Sequence, residues 1–175
     1  MEKFKNKYRV SSARLQNWDY SWAGAYFITI CTEKRRCYFG EISDKQMKLS
    51  PVGAVANVLW HEIPYHVPNI ELGAFIVMPN HIHGVLIIPN DKIPMELASK
   101  NMGKQRFQNI GKNSISSMVG SYKSAVTKHA RRLGFEFGWQ ARFHDHLIRD
   151  DGAFQRISSY IKNNPANWAE DTFSK

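Results

Sequence analysis

The chain has 175 residues, with 24 Lys and Arg against 15 Asp and Glu, and a net charge of +9 at pH 7. Apolar residues make up 43% of the sequence and aromatic residues 13%, which excludes a disordered basic tail and is enough for a packed core. The length predicts a single domain over residues 1–175, and without a membrane span, a signal region or a disulfide framework we expect a cytoplasmic protein.

The first predicted elements are a strand, a small hairpin and a helix. Residues Ala25–Thr32 are aromatic and β-branched, as is typical of a buried strand. Residues 35–49 contain two short extended segments around a turn-like Ser-Asp-Lys. Ser50 followed by Pro51 is the pattern of a helix start, and apolar residues at helical spacing continue to about Pro64.

Two further strands are predicted in the middle of the chain. Glu71–Met78 and His81–Ile88 are apolar runs, and the break at Pro79-Asn80 predicts a turn between them. Residues 89–111 are polar, contain Pro and Gly, and have no clear period, which predicts a flexible linker or loop within the domain.

The last part of the chain predicts helix, strand and helix. From Ser114 to Gly134, apolar residues fall on one helical face and cationic residues on the other. Arg142–Arg149 predicts a strand, and Asp150-Asp151 can cap a final helix that ends near Pro165. Two strand-helix-strand units predict an α+β, ferredoxin-like (RRM-like) fold: an antiparallel sheet with helices packed on one face.

The positive charge is concentrated in two segments, which indicates a polyanion such as nucleic acid as partner. Residues 1–14 carry five Lys and Arg against one Glu, and residues 97–135 carry eight without any acid. A basic surface that only aids solubility is the alternative. The candidate nucleic-acid contacts are Lys112, Lys123, Lys128, Arg131, Arg132 and Arg142.

The most informative short motif is His81-Ile82-His83. Side chains alternate along a strand, so both imidazoles project from one side of the sheet, about 7 Å apart along the backbone. Such a pair can share a divalent cation, or it can be a structural or surface pair. Its position between apolar segments favours a functional role, because buried polar groups need partners.

Tyr160 is the second candidate site residue, because the edge of an amphipathic helix can present a hydroxyl to a cleft. At helical spacing, Tyr160 and Asn164 lie one turn apart at the edge of an apolar stripe. On helical periodicity alone, a core aromatic with a satisfied hydroxyl is the favoured interpretation of Tyr160. Tyr122 is the rival tyrosine because it lies on the cationic helix, but it falls near the middle of the apolar arc, which favours a core role.

These motifs together resemble one family. FIVMPNHIHGVLII, WQARFHDHLIRD and YIKNNPANW occur in this order, preceded by DYSWAGAYFITICT. The chain resembles the single-tyrosine HUH (His-hydrophobic-His) transposases, and especially the branch associated with repetitive extragenic palindromes (REPs). The likeness extends over most of the chain.

The resemblance implies a DNA transposase that cleaves and rejoins single-stranded or hairpin DNA through a 5′-phosphotyrosine. It implies that Tyr160 is the nucleophile, that His81 and His83 bind Mg²⁺ or Mn²⁺, and that Asn164 completes the metal site. A phenol with a pKa near 10 is a weak nucleophile at pH 7, so a nearby cation that polarises the phosphate is chemically reasonable.

Several assignments remain open at the level of the sequence. Gln140, His144 and His146 are alternative groups near the metal, although a surface role or DNA contact is favoured for the two histidines. Trp139 and Phe143 can stack on bases or belong to the core. A non-catalytic nucleic-acid-binding regulator and a phosphodiesterase that uses water are the competing functions, and both a monomer and a homodimer are compatible with the sequence.

Overall fold

The fold is an α+β arrangement in which helices pack against a four-stranded antiparallel sheet, as predicted. It comes from a computed structural model that describes residues 23–89 and 113–174. The strands are β1 (Gly24–Cys31), β2 (Gly40–Ser43), β3 (Gln46–Leu49), β4 (Glu71–Met78), β5 (His81–Ile88) and β6 (His144–Ile148). The helices are α1 (Pro51–His61), α2 (Ile63–His66), α3 (Ile115–Arg132) and α4 (Asp151–Asn163), followed by a 3₁₀ segment, Asn164–Glu170.

The main sheet has the strand order β4-β5-β1-β6, and every neighbouring pair is antiparallel. Its two central strands carry the apolar runs that predicted them, because a central strand is covered on both faces. The register sets Thr29 of β1 between His83 of β5 and His144 of β6. Strands β2 and β3 form the separate small hairpin that was predicted.

Helices α1 and α3 cover one face of the sheet. Ser50 caps α1 by accepting from the Gly53 amide at 3.0 Å, and Ser114 caps α3 by accepting from the Ser117 amide at 3.2 Å. The Tyr122 hydroxyl joins the two helices by donating to the Ala56 carbonyl at 2.8 Å. This bond confirms the core role that its position in the apolar arc predicted.

Helix α4 packs on the opposite face, and here the expectation of helices on one face is wrong. Val85 lies with Ile161 in a core cluster that also contacts Phe154 and Ile157. Its neighbour Leu86 belongs to the larger cluster beneath α1 and α3. Since successive strand residues alternate faces and both faces of β5 are apolar, both must be covered.

The end of the first helix differs slightly from the prediction, and two predicted segments fall mostly or wholly outside the described residues. The first helix ends at His61, slightly before Pro64, and Pro64 lies in the first turn of the short α2. The predicted linker, residues 89–111, lies almost wholly outside the described residues, as does the basic segment 1–14. None of the helices in the two described ranges has the length and apolar character that crossing a bilayer requires.

Candidate active site

His81 and His83 lie at the start of β5, on the face that α4 covers. Both are buried, with 0% and 1% of their surface exposed. Their Nε2 atoms are 3.1 Å apart and their ring centroids 4.5 Å apart. The prediction that they share one side of the sheet is confirmed, and the rings lean together more closely than the backbone spacing alone indicates.

The outer nitrogens of both imidazoles are hydrogen-bonded to neighbouring side chains. The Nδ1 atom of His81 is 2.8 Å from Oδ1 of Asn80, in the turn that precedes β5. The Nδ1 atom of His83 is 2.8 Å from Oγ1 of Thr29, its direct partner across β1. Both rings are thereby fixed with Nε2 pointing inward.

Burial keeps both imidazoles neutral at pH 7. It lowers the pKa of His81 to about 3, with a smaller contribution from the Arg35 guanidinium. Burial and, to a smaller degree, the charge that a protonated His81 would carry lower the pKa of His83 to about 3, while the Asp171 carboxylate acts in the opposite direction. Neutral imidazole is the form that binds metal ions, so both side chains are available as ligands at physiological pH.

Tyr160 reaches the histidine pair from α4. Its hydroxyl is 3.3 Å from Nε2 of His83, and the residue is 45% exposed. Phe27 supports the ring edge-on, with centroids 6.3 Å apart. Burial raises the pKa of Tyr160, the nearby Asp171 raises it further, and a hydrogen bond with Asn164 lowers it, so the phenol is protonated at pH 7.

Asn164 lies one turn beyond Tyr160 and is buried, with 2% of its surface exposed. Its backbone remains right-handed helical, with φ −56° and ψ −42°, although Pro165 follows it. The geometry therefore retains the one-turn offset from Tyr160. The Asn164 Oδ1 atom has no hydrogen-bond partner in the part of the chain that the structure describes.

Asp171 is a candidate ligand that the sequence analysis missed. A carboxylate oxygen of Asp171 and one nitrogen each of His81 and His83 all lie within 4.8 Å of one another. The 3₁₀ segment Asn164–Glu170 returns the chain to the histidines after α4. No motif spacing signals this return, because the direction of the chain after Pro165 depends on the 3₁₀ conformation.

The residues that follow Asp171 lie over the histidine pair. The centroids of the Phe173 and His81 rings are 4.5 Å apart. The Arg35 guanidinium lies over the Phe173 ring, 4.9 Å from its centroid. Arg35 also donates to the Thr172 carbonyl at 2.8 Å, and Asn80 Nδ2 donates to the Phe173 carbonyl at 2.7 Å. The Phe173 ring therefore covers part of the His81 ring, which Trp168 also contacts with centroids 6.0 Å apart.

The three residues that the sequence offers as alternative groups near the metal lie at the edge of the site. His144 and His146 are exposed on the edge strand β6, and Gln140 is exposed in the loop before it. His144 lies opposite Thr29, close enough that its charge would lower the pKa of His83. Neither His144 nor His146 has a ligand atom in the compact group formed by His81, His83 and Asp171.

The candidate nucleic-acid residues divide by exposure. Lys128, Arg131, Arg132 and Arg142 are exposed. Lys123 is half-buried, donates to the Gln140 carbonyl at 2.6 Å, and has its pKa lowered by burial. Lys112 lies outside the described residues.

Trp139 has a packing role and also lines a groove. Its ring contacts Phe39, with centroids 5.4 Å apart, and its Nε1 donates to the Lys123 carbonyl at 3.1 Å. Phe143 is half-buried against the same core. A groove beside α3 is lined by Trp139, Lys123, Ser124, Thr127, Lys128 and Arg131, and we call it the α3 groove.

Comparison with known structures identifies the class of fold. A solved REP-associated tyrosine transposase bound to a REP hairpin matches 89% of this chain and 74% of that chain, with a TM-score of 0.60 and 20% identity. The fold is therefore that of a REP-associated tyrosine transposase, and the resemblance inferred from the motifs is confirmed at this level.

Comparison with known sequences identifies the family. A scan against protein-family models gives no match. An uncharacterized protein of Haemophilus influenzae is 36% identical over 162 residues, which cover 91% of this chain and 90% of that protein. The chain belongs to the same family as this H. influenzae protein.

Proposed function

We propose that the protein is a DNA transposase that cleaves and rejoins single-stranded, hairpin-bearing DNA through a covalent bond to Tyr160, with Mg²⁺ or Mn²⁺ as cofactor. The observation that carries the proposal is the 3.3 Å approach of the Tyr160 hydroxyl to Nε2 of His83. A reactive hydroxyl beside two neutral, inward-facing imidazoles is the arrangement that metal-assisted attack on a phosphate needs. The fold shared with a transposase bound to a DNA hairpin adds support.

The donor atoms around the histidines fit a divalent cation. The Nε2 atoms of His81 and His83 converge, and a carboxylate oxygen of Asp171 lies within 4.8 Å of ligand nitrogens of both. The buried, unpartnered Oδ1 of Asn164 is a further donor on the neighbouring turn. Two nitrogens with one or two oxygens favour Mn²⁺ over Mg²⁺ in affinity, because imidazole is softer than the oxygen shell of Mg²⁺.

His81 and His83 would hold the cation, with Asn164 and Asp171 as the candidate oxygen ligands. When bound, it would polarise the scissile phosphate and offset the negative charge of the transition state. The protein's own contribution is positional, since α4 holds the Tyr160 hydroxyl and β5 holds the imidazoles.

The proposed cleavage step is a transesterification. The phenolic oxygen of Tyr160 attacks phosphorus, a bond forms between that oxygen and the 5′-phosphate, and the bond from phosphorus to the 3′-oxygen breaks. The phenol proton passes to solvent, and the departing 3′-oxygen takes up a proton to give a free 3′-hydroxyl. Because the phosphotyrosine keeps the ester linkage, a 3′-hydroxyl can reverse the step and rejoin DNA without another energy source.

The experiment that tests this function is incubation of the full chain with Mn²⁺ and single-stranded oligonucleotides that carry a hairpin and its flanks. We expect a covalent protein–DNA adduct that peptide mass analysis assigns to Tyr160. Tyr160→Phe should abolish the adduct, because it removes the hydroxyl while keeping the ring against Phe27. Tyr122→Phe is the matched control and should still form the adduct, since its hydroxyl is buried against Ala56.

The other outcomes decide between the competing functions. An adduct that persists in Tyr160→Phe would contradict the assignment of the nucleophile. Free 5′-phosphate ends without protein-linked DNA would indicate a phosphodiesterase that uses water. Salt-sensitive binding without cleavage of any hairpin would indicate a non-catalytic regulator.

A further inference from the structure

Two buried polar side chains outside the proposed ligand set hold the outer nitrogens of the histidine pair. Asn80 is 3% exposed and Thr29 is 4% exposed. Each makes a 2.8 Å hydrogen bond to one Nδ1 atom, Asn80 to His81 and Thr29 to His83. The hydrogen bond that a ring nitrogen makes influences which nitrogen carries the proton, and therefore which nitrogen can bind a metal ion.

The Asn80 bond fixes the tautomer of His81. The amide nitrogen of Asn80 donates to the Phe173 carbonyl at 2.7 Å, so its oxygen is the atom that faces His81. An amide oxygen can only accept, and the Nδ1 atom of His81 must therefore be the donor. In a neutral ring, a proton on Nδ1 leaves a lone pair on Nε2, which points toward His83.

The backbone of Asn80 is anchored as well. Its carbonyl accepts from the amide of Thr32 at 2.9 Å and from the Thr32 hydroxyl at 2.9 Å. The turn before β5 is thus tied to the end of β1 independently of the Asn80 side chain. Asn80 is held in position before any metal binds.

The Thr29 bond is different, because a hydroxyl can donate or accept. The two Nε2 atoms are 3.1 Å apart, and His81 has a lone pair there, so the contact is favourable only when His83 donates from Nε2. In that state Nδ1 of His83 accepts from Thr29. For Nε2 of His83 to bind a cation, the ring proton must be on Nδ1, and the Thr29 hydroxyl then accepts the hydrogen bond that Nδ1–H donates.

We propose that Asn80 and Thr29 are positioning residues for the metal site. Asn80 locks His81 as the Nδ1–H tautomer, and the reversible Thr29 hydroxyl allows His83 to change tautomer, so that both Nε2 atoms face one cation. The inference rests on the proposed metal-dependent function. Partners of this kind typically change metal affinity by about 10- to 100-fold when they are removed.

The first test is calorimetric titration of the full chain with Mn²⁺ alone. Thr29→Val keeps the shape of threonine but cannot hydrogen-bond, and we expect affinity to fall by about 10- to 100-fold. Thr29→Ser keeps the hydroxyl and should bind within a few-fold of the unmodified chain. Asn80→Leu should weaken binding to a similar degree as Thr29→Val, whereas Asn80→Asp keeps an acceptor for His81, although it loses the donor to the Phe173 carbonyl, and should weaken binding less than Asn80→Leu.

The second test is ¹⁵N NMR of the imidazole rings in the metal-free chain. The inference expects His81 to be protonated at Nδ1 in the unmodified chain and to lose that preference in Asn80→Leu. If the unmodified chain failed to bind Mn²⁺ while His81 kept this tautomer, the proposed metal dependence would fail, and only the effect of Asn80 on the His81 tautomer would stand.

Equal Mn²⁺ affinity in Thr29→Val, Asn80→Leu and the unmodified chain would overturn the inference. An Nε2–H tautomer of His81 in the unmodified chain would do the same. If Asn80→Leu does not fold, the comparison of Thr29→Val with Thr29→Ser and the tautomer of the unmodified chain still decide.

Discussion

At the scale of single residues, the buried histidines connect the site to the stability of the fold. Both have a pKa of about 3 in the folded chain and about 6.5 when unfolded. Between these values the unfolded chain binds more protons, so the free energy of unfolding of the metal-free protein falls as the pH falls. From pH 7 to pH 5 we expect a loss of about 2 kcal/mol for each of the two histidines.

Urea unfolding at pH 7 and pH 5 measures this loss. His81→Gln and His83→Gln should each flatten the difference between the two pH values by about 2 kcal/mol, whatever their effect on stability at pH 7. His66→Gln is the matched control for the loss of a histidine at the surface, because the His66 side chain is 76% exposed. If His81→Gln and His83→Gln lost as much stability as the unmodified chain, the pKa assignment would be wrong.

Site residues could be predicted from the sequence where a local pattern sets their position. Strand alternation predicts that His81 and His83 share a face, and helical spacing predicts that Asn164 follows Tyr160 by one turn. The position of Asp171 could not be predicted in this way. The chain returns over the histidines through a 3₁₀ segment and a hydrogen bond from Arg35 to the Thr172 carbonyl, and no local pattern indicates either. The side chains of Asn80 and Thr29 become neighbours of the pair only through the turn and the strand register.

At the scale of elements, the close packing of α1 against β5 depends on Gly84. A Cβ atom on Gly84 would lie 2.2 Å from Cζ2 of Trp60. The Trp60 ring cannot move away easily, because it is fully buried and stacked on Phe75 with centroids 4.6 Å apart. The absence of a side chain at residue 84 therefore allows α1 to approach the strand that carries both histidines.

Gly84→Ala should destabilise the protein by about 2–3 kcal/mol, because overpacking forces either Trp60 or β5 to shift. Gly120→Ala is the matched control: Gly120 is exposed on α3 and a Cβ there would meet no atom within 4 Å. The control should raise stability by about 0.5–1 kcal/mol through helix propensity. Thermal or urea unfolding measures both, and a neutral Gly84→Ala would contradict the packing argument.

Most elements could be predicted because their signals are local. The Ser50 and Ser114 caps mark helix starts, and the bounds of β4 and β5 coincide with the two apolar runs. The face on which α4 packs could not be predicted, since an amphipathic stripe indicates burial but not the partner. Helix α4 can pack on its face of the sheet because both faces of β5 are apolar. This property predicts helices on both faces only when β5 is known to be a central strand.

At the scale of the whole molecule, the cationic groove and the histidine pair lie at the same end of the sheet. Trp139 lines the α3 groove and forms a bridge with Thr32, directly after β1. The next residue, Gln140, donates its amide to the Cys31 carbonyl at 2.9 Å, and Cys31 pairs with His81. A strand of DNA bound along the groove would therefore reach the same end of the sheet as the histidines, although α3 and the histidine pair lie on opposite faces.

The salt dependence of binding to single-stranded DNA tests this arrangement. Each phosphate contact on a single strand contributes about 0.7 to the slope of log K against log salt concentration. The double variant Lys128→Gln, Arg131→Gln removes two exposed charges from the α3 groove, so the slope should become shallower by about 1.4. Fluorescence anisotropy over a series of salt concentrations measures the slope.

The matched control removes two exposed arginines whose charges lie toward the other end of the main sheet. Arg149 follows the far end of β6. Arg156 lies one turn before Tyr160 on α4, but its guanidinium extends back to Gly152 at the start of the helix, 3.1 Å from the position that a Cβ on Gly152 would take. Both double variants change the net charge equally, so a general electrostatic attraction would lower both slopes alike. Because the phosphate contacts are expected in the groove, Arg149→Gln, Arg156→Gln should leave the slope unchanged, and equal slopes for the two double variants would contradict a DNA path along α3.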